Sequence, residues 1–95
     1  MLLSIVVPVY NEEENIANFY KAVTDVMSGL TYDYELIFVD DGSSDSSAMI
    51  LREIAYNDKH VKVLLLARNF GHQTALTCGL DYAHGDAVIT MDGDM

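Results

Sequence analysis

The alternation of two periods along this chain constrains its fold more than any other feature. Nearly continuous apolar runs of strand length take turns with longer stretches whose apolar residues recur every three or four positions. Leu2–Val9 (LLSIVVPV) is the first run. Over residues 12–27 the period changes, and Ile16, Phe19, Tyr20, Val23 and Met27, continued by Leu30, mark one stripe of a helix. Asn11 with Glu14 three residues on predicts an N-cap and its capping-box partner, and Ser28-Gly29 predicts the helix end.

The unit then repeats. Residues 34–39 (YELIFV) form the second run, followed by a turn at Asp41-Gly42-Ser43-Ser44. A serine of that turn can cap a helix over 45–57 whose stripe is Ser47, Ile50, Leu51 and Ile54. Residues 61–67 (VKVLLLA) are the third run and Arg68-Asn69-Phe70-Gly71 is a loop. A helix over 73–83 carries Leu76, Gly79, Leu80 and Ala83 on one face. His84-Gly85 closes it, and 87–91 (AVITM) is the fourth run.

Strands that are apolar throughout belong in a parallel sheet covered on both faces, and helices between them supply the cover. The expected architecture is α/β: a Rossmann-like parallel sheet, βαβαβαβ, in strand order 3-2-1-4. The 95 residues allow one domain at most, and no linker or low-complexity tract divides them. The chain stops as the fourth strand ends, so the expectation is a fragment of a longer protein over 1–95. No apolar run approaches the roughly 18 residues of a membrane helix, and the apolar start reads as a strand.

In such a sheet, ligands bind beyond the carboxyl ends of the strands, best where strand order reverses, here between the first and fourth strands. Charge now becomes informative. Five Lys plus Arg against fifteen Asp plus Glu leave a net charge of −10. Five cations cannot neutralise a row of phosphates, so nucleic acid is excluded as a partner, and adsorption to an anionic membrane surface is equally disfavoured. Glu12, Glu13, Glu14, Asp40, Asp41, Asp45, Asp92 and Asp94 all follow predicted strands and should rim one edge of the sheet.

Each group has a plain reading beside a functional one. Glu12, Glu13 and Glu14 suit a helix start, where the macrodipole favours acids. Asp40-Asp41-Gly42-Ser43 can be a turn held by Asx and Ser side chains, or can offer a carboxylate to a ribose hydroxyl or a base N–H. Asp92-Gly93-Asp94 is the sharpest site. Two acids flanking a glycine after a buried strand suit Mg²⁺ or Mn²⁺, hard cations held by one or two carboxylates with phosphates and water completing the shell. Arg68 is either a surface ion-pair partner or a planar donor for a phosphate or base edge. His60, His72 and His84 have no second ligand at metal spacing and read as structural. Cys78 reads as packing and has no disulfide partner in the chain. No dinucleotide, P-loop or nucleophile-elbow motif is present.

Taken together, Ser4-Ile5-Val6-Val7-Pro8-Val9-Tyr10-Asn11-Glu12 with Asn15, Phe38-Val39-Asp40-Asp41-Gly42-Ser43-Ser44-Asp45, Arg68-Asn69-Phe70-Gly71, Gly85-Asp86 and Met91-Asp92-Gly93-Asp94 resemble the family 2 glycosyltransferases of GT-A fold. The resemblance covers the whole chain and is strongest to polyprenyl-phosphate and dolichyl-phosphate sugar transferases. It implies the nucleotide-binding half of that fold. Pro8, Tyr10 and Glu12 would line the base and ribose pocket, Asp40 or Asp41 would bond the base, and Arg68 would lie against the nucleotide. Asp92 and Asp94 would be the catalytic pair that binds Mg²⁺ or Mn²⁺ and the sugar diphosphate, although Gly93 stands where the family often has Ala. The implied reaction is inverting transfer from a UDP- or GDP-linked sugar to a lipid phosphate, with the acceptor half lying beyond Met95. The implied setting is cytoplasmic, the intact parent membrane-associated on the cytoplasmic face. No residue pattern predicts an oligomeric state.

Two other readings stay open on the residues alone. Strand-end acids with Mg²⁺ also serve phosphoaspartyl receivers and phosphatases, and Val39-Asp40-Asp41 is similar to a receiver's acidic pair. The chain can also be a non-catalytic fragment that holds metal and nucleotide, or neither.

Overall fold

In the computed structural model, which describes residues 1–92, the expected sheet forms. Seven elements follow one another as β1 (Leu2–Val9), α1 (Ile16–Ser28), β2 (Asp33–Asp40), α2 (Ser47–Asn57), β3 (Val61–Leu65), α3 (His72–Tyr82) and β4 (Ala87–Thr90). All pairings are parallel and the strand order is β3-β2-β1-β4.

The period-2 geometry of a strand explains the two cores. Ile5, Val7 and Val9 of β1 face one way and meet Ile16, Phe19, Val23 and Met27 of α1 and Leu51 of α2. Val6 faces the other way, where Ile37 and Val39 of β2 and Ala75 of α3 close the second core. Both faces of β1 and β2 are therefore buried, which is why their sequences are continuous and not alternating. Gly79 lets α3 approach closely, because a Cβ there would lie 2.3 Å from Val6 Cγ1.

The helix starts differ from expectation. α1 begins at Ile16, and Glu12, Glu13 and Glu14 lie in a turn closed by the Asn15 amide donating to the Glu12 carbonyl (2.9 Å). Asn11 is not its cap. It adopts a left-handed backbone (φ 51°), which asparagine tolerates better than most residues. α2 begins at Ser47 instead of Asp45. On α3 the core-facing residues are Ala75 and Gly79. Leu80, expected on the buried face, is exposed, and Ala83 lies past the helix end. β3 is two residues shorter than expected and β4 one. Val88 and Ile89 of β4, and Met91 beyond it, are exposed. Among the described residues, no helix is long and apolar enough to cross a membrane.

Candidate functional site

The strands present their carboxyl ends on one edge, and seven of the eight rim acids fall on it among the described residues. Asp94 lies outside the described residues, as does Gly93. The edge opens beside β1 for a covalent reason. The even-numbered residues of β1 direct their backbone groups toward β4: Leu2 accepts from Asp86, and Val6 accepts from Met91 (3.0 Å). Pro8 comes next on that side and has no N–H to offer. The β1–β4 ladder ends at Val6↔Thr90.

Two clefts flank the opening. One, of about 360 Å³, is lined by Pro8, Val9, Tyr10, Asp41, Asn69, Gly71 and His72. The other, of about 170 Å³, is lined by Pro8, His72, Leu76, Thr90, Met91 and Asp92. Pro8 and His72 are the residues common to both.

The loops that build the edge are tied to each other. Asn11 Oδ1 accepts from the Ser44 and Asp45 amides (2.8 and 3.3 Å) and from the Ser44 hydroxyl (3.3 Å). In return the Asn11 amide donates to Ser43 Oγ (2.9 Å) and the Glu12 amide to Ser47 Oγ (3.0 Å). Glu13 and Asp45 pair reciprocally: the Glu13 amide donates to Asp45 Oδ2 (3.2 Å), and the Ser46 amide donates to Glu13 Oε2 (3.1 Å). Burial works to raise the Asp45 carboxyl, but the Ser47 and Glu13 donors outweigh it and hold it below the usual range. These acids act as acceptors between the first two loops, which a helix-start role alone would not require.

Asp40 and Asp41 are both buried. Asp40 Oδ1 accepts from the Ser43 hydroxyl (2.6 Å), and its Oδ2 takes the long Ser43 amide contact (3.3 Å). Asp41 holds the loop after β3: Oδ1 accepts from the Phe70 amide (2.8 Å), and Oδ2 accepts from the Gly71 amide (3.1 Å) and Asn69 Nδ2 (3.2 Å). Gly42 makes this possible. Its φ is +71°, and a Cβ there would lie 2.2 Å from the Arg68 carbonyl carbon. Although they share this edge, Asp40 and Asp41 do not face Asp92 directly. β2 and β4 stand on opposite sides of β1, a separation of roughly 10 Å, and both aspartates already hold internal donors.

The other expected residues are distributed as follows. Tyr10 is exposed at the mouth of the larger cleft. Glu12 is half-buried, and its Oε2 accepts from Asn15 Nδ2 (2.8 Å). Arg68 is exposed, its guanidinium 4.7 Å from the Phe70 ring centroid. It does not line either cleft, and the ion pair of its plain reading does not occur among the described residues. Asp92 follows β4 with its side chain 75% exposed, and His72 Nε2 lies 4.0 Å from its Oδ1. By residue type and spacing alone, His72 reads as a structural histidine. No motif marks it, because its neighbour Asp92 is 20 positions away in sequence and adjacent only once β1 and β4 pair.

Among the described residues, no three His, Cys, Asp or Glu side chains converge as a metal cluster. Asp92 offers an exposed carboxylate at the switch point. That suits a hard divalent cation that takes one or two protein oxygens and completes its shell from phosphate and water.

Residues 4–95 match the family described as Glycosyl transferase family 2. An uncharacterized glycosyltransferase of Bacillus subtilis (strain 168) is 51% identical over 92 residues, covering 97% of this chain and 28% of the relative. The bactoprenol glucosyl transferase of Shigella phage SfV is 46% identical over 95 residues, covering all of this chain and 31% of the relative. A solved mannosyltransferase from Pyrobaculum calidifontis, in complex with GDP-Man and Mn²⁺, superposes with a TM-score of 0.80 at 25% identity, over 97% of this chain and 27% of that one. The chain thus spans about 30% of the length of the curated relatives it matches.

Proposed function

The chain belongs to glycosyl transferase family 2, and on that premise we propose that it supplies the donor half of an enzyme that moves a sugar from a UDP- or GDP-linked donor to a polyprenyl phosphate. Membership in this family sets aside the phosphoaspartyl reading. The observation that carries the proposal is the pair of clefts at the switch point, one beside Tyr10 and Asp41 and the other ending at Asp92. Support for a nucleotide-sugar donor with a divalent ion comes from the mannosyltransferase complex, and support for the lipid phosphate from the bactoprenol enzyme's name.

In this reading the base and ribose lie in the larger cleft, against Pro8 and Tyr10 and near Glu12. Asp40 or Asp41 accepts from the base through a lone pair left by its internal donors, and Arg68 lies along the outer side of the nucleotide. Asp92 and Asp94 hold Mg²⁺ or Mn²⁺. When bound, that ion neutralises the diphosphate leaving group. The chain's own contribution is to fix the donor so that the acceptor oxygen meets the anomeric carbon from the opposite face, giving inversion. A lipid phosphate is already anionic and needs little help from a base. The implied location is the cytoplasmic face of a membrane.

The test is transfer of labelled sugar to polyprenyl phosphate by the longer enzyme that carries this chain. Asp92→Asn and Asp94→Ala should each lower turnover by about 10²–10³, the loss typical when one group stabilising developing charge is removed. Full activity in both variants would contradict the metal role. Transfer to no lipid phosphate from either class of donor would contradict the function.

A further inference from the structure

The acid-rimmed edge poses a problem for an anionic donor. The chain's five Lys and Arg are Lys21, Arg52, Lys59, Lys62 and Arg68. The first two lie on α1 and α2, and Lys59 and Lys62 sit before and at the start of β3, at the opposite end of the strands from the clefts. Arg68 stacks on Phe70 outside both clefts. A diphosphate running from the Tyr10 side toward Asp92 must pass Pro8 and His72, the residues common to both clefts. Of these only His72 carries a polar side chain.

His72 is also prepared for a ligand. The carboxylate of Asp41 fixes its approach by accepting from the Phe70 and Gly71 amides immediately before it. Its own side chain is 59% exposed and makes no hydrogen bond among the described residues, the nearest acid being Asp92 Oδ1 at 4.0 Å. An imidazole N–H can donate to a phosphate oxygen where the surrounding carboxylates can only accept.

Resting on the donor-site reading above, we propose that His72 is a donor-binding residue whose ring N–H holds the β-phosphate of the nucleoside diphosphate as it crosses from the base cleft to the Asp92 cleft. Asp41 is its positioning residue.

The experiment is calorimetric titration of the chain with UDP, GDP, UMP and GMP in the presence of Mn²⁺, and with Mn²⁺ alone. His72→Ala should weaken diphosphate binding about tenfold or more, the worth of one hydrogen bond to a charged group, and change monophosphate binding less than about twofold. His72→Gln keeps an N–H donor and should recover most of the diphosphate affinity. Unchanged diphosphate binding in His72→Ala would overturn the assignment while leaving the donor site standing. Equal losses for mono- and diphosphates would reveal a structural role and overturn it, and loss of Mn²⁺ binding without nucleotide would make His72 a metal ligand instead. If the unaltered chain binds no nucleotide at all, the donor-site reading falls and this inference with it.

Discussion

Single residues set the edge on which the clefts open. Gly42 sits with positive φ beneath the Arg68–Asn69 backbone, where a side chain has neither the conformation nor the space. Gly42→Ala should destabilise the chain by about 2–4 kcal/mol, combining left-handed strain with overpacking, read as a lower urea midpoint. Asp41 is the acceptor for the whole Asn69-Phe70-Gly71 loop. Asp41→Asn replaces one acceptor oxygen with a donor that faces other donors. It should cost about 1–3 kcal/mol in the same measurement and should also weaken nucleotide binding. The sequence left open whether Asp40-Asp41 was a turn or a ligand. The structure shows the turn chemistry directly, but residue types alone could not say which loop Asp41 would hold, because its partners lie some 30 positions away.

At the scale of elements, loops and strand ends are clamped by the buried Glu35 and the half-buried Asp45 and Asp58, whose titration has a definite sign. Glu35 of β2 is buried. Its Oε2 accepts from the Ser4 hydroxyl of β1 (2.6 Å) and from the His84 amide (2.7 Å), while Ser4 Oγ accepts from Gly85 (2.8 Å). This network fixes the turn that leads into β4, and through it the strand that Asp92 follows. Burial works to raise Glu35, but these donors and the nearby His84 and Lys62 charges outweigh it, so the carboxyl sits below its ordinary value. A lowered folded value means stability that is present above the unfolded value of about 4.3 and lost as pH falls through the folded one. Asp45 and Asp58 are lowered as well and act in the same direction. Urea unfolding between neutral and acid pH should therefore show stability falling with pH, with a shallower fall in Glu35→Gln. At the same end of the sheet the Tyr20 hydroxyl of α1 donates to Asp58 (2.6 Å). That bond, reinforced by burial and the Asp58 charge, pushes Tyr20 up to about 12. Its contribution to stability is complete below the unfolded value of about 10 and lost as pH rises through 12. Tyr34 is raised as well, by burial and then by the Asp58 charge, so spectrophotometric titration should show a late-titrating tyrosine fraction that shrinks in Tyr20→Phe without vanishing. The element order and topology were legible from period alone, since both faces of β1 and β2 are apolar. The helix starts were not. Glu12, Glu13 and Glu14 suit a first turn locally, but the Glu12 and Glu13 amides bond to Ser47 and Asp45, long-range partners that no capping pattern encodes.

At the scale of the whole molecule, the charge of −10 is a property of one edge more than of the surface at large. That much was readable, because position after a strand places an acid without any knowledge of its side-chain partners. How those acids are used was not readable. Glu13, Asp40, Asp41 and Asp45 hold the loops together, which leaves Asp92 exposed at the switch point as the described carboxylate best placed for a cation. The central claim is that this edge is a metal-dependent donor site, and thermal unfolding of the chain with UDP or GDP, with and without Mn²⁺, tests it most directly. The account predicts that UDP or GDP raises Tm only when Mn²⁺ is present, beyond any rise from Mn²⁺ alone, since a ligand that binds the folded state alone stabilises it, and predicts that this rise is lost in Asp92→Asn/Asp94→Asn. No rise with either nucleotide, or the same rise without metal or in the double variant, would contradict it.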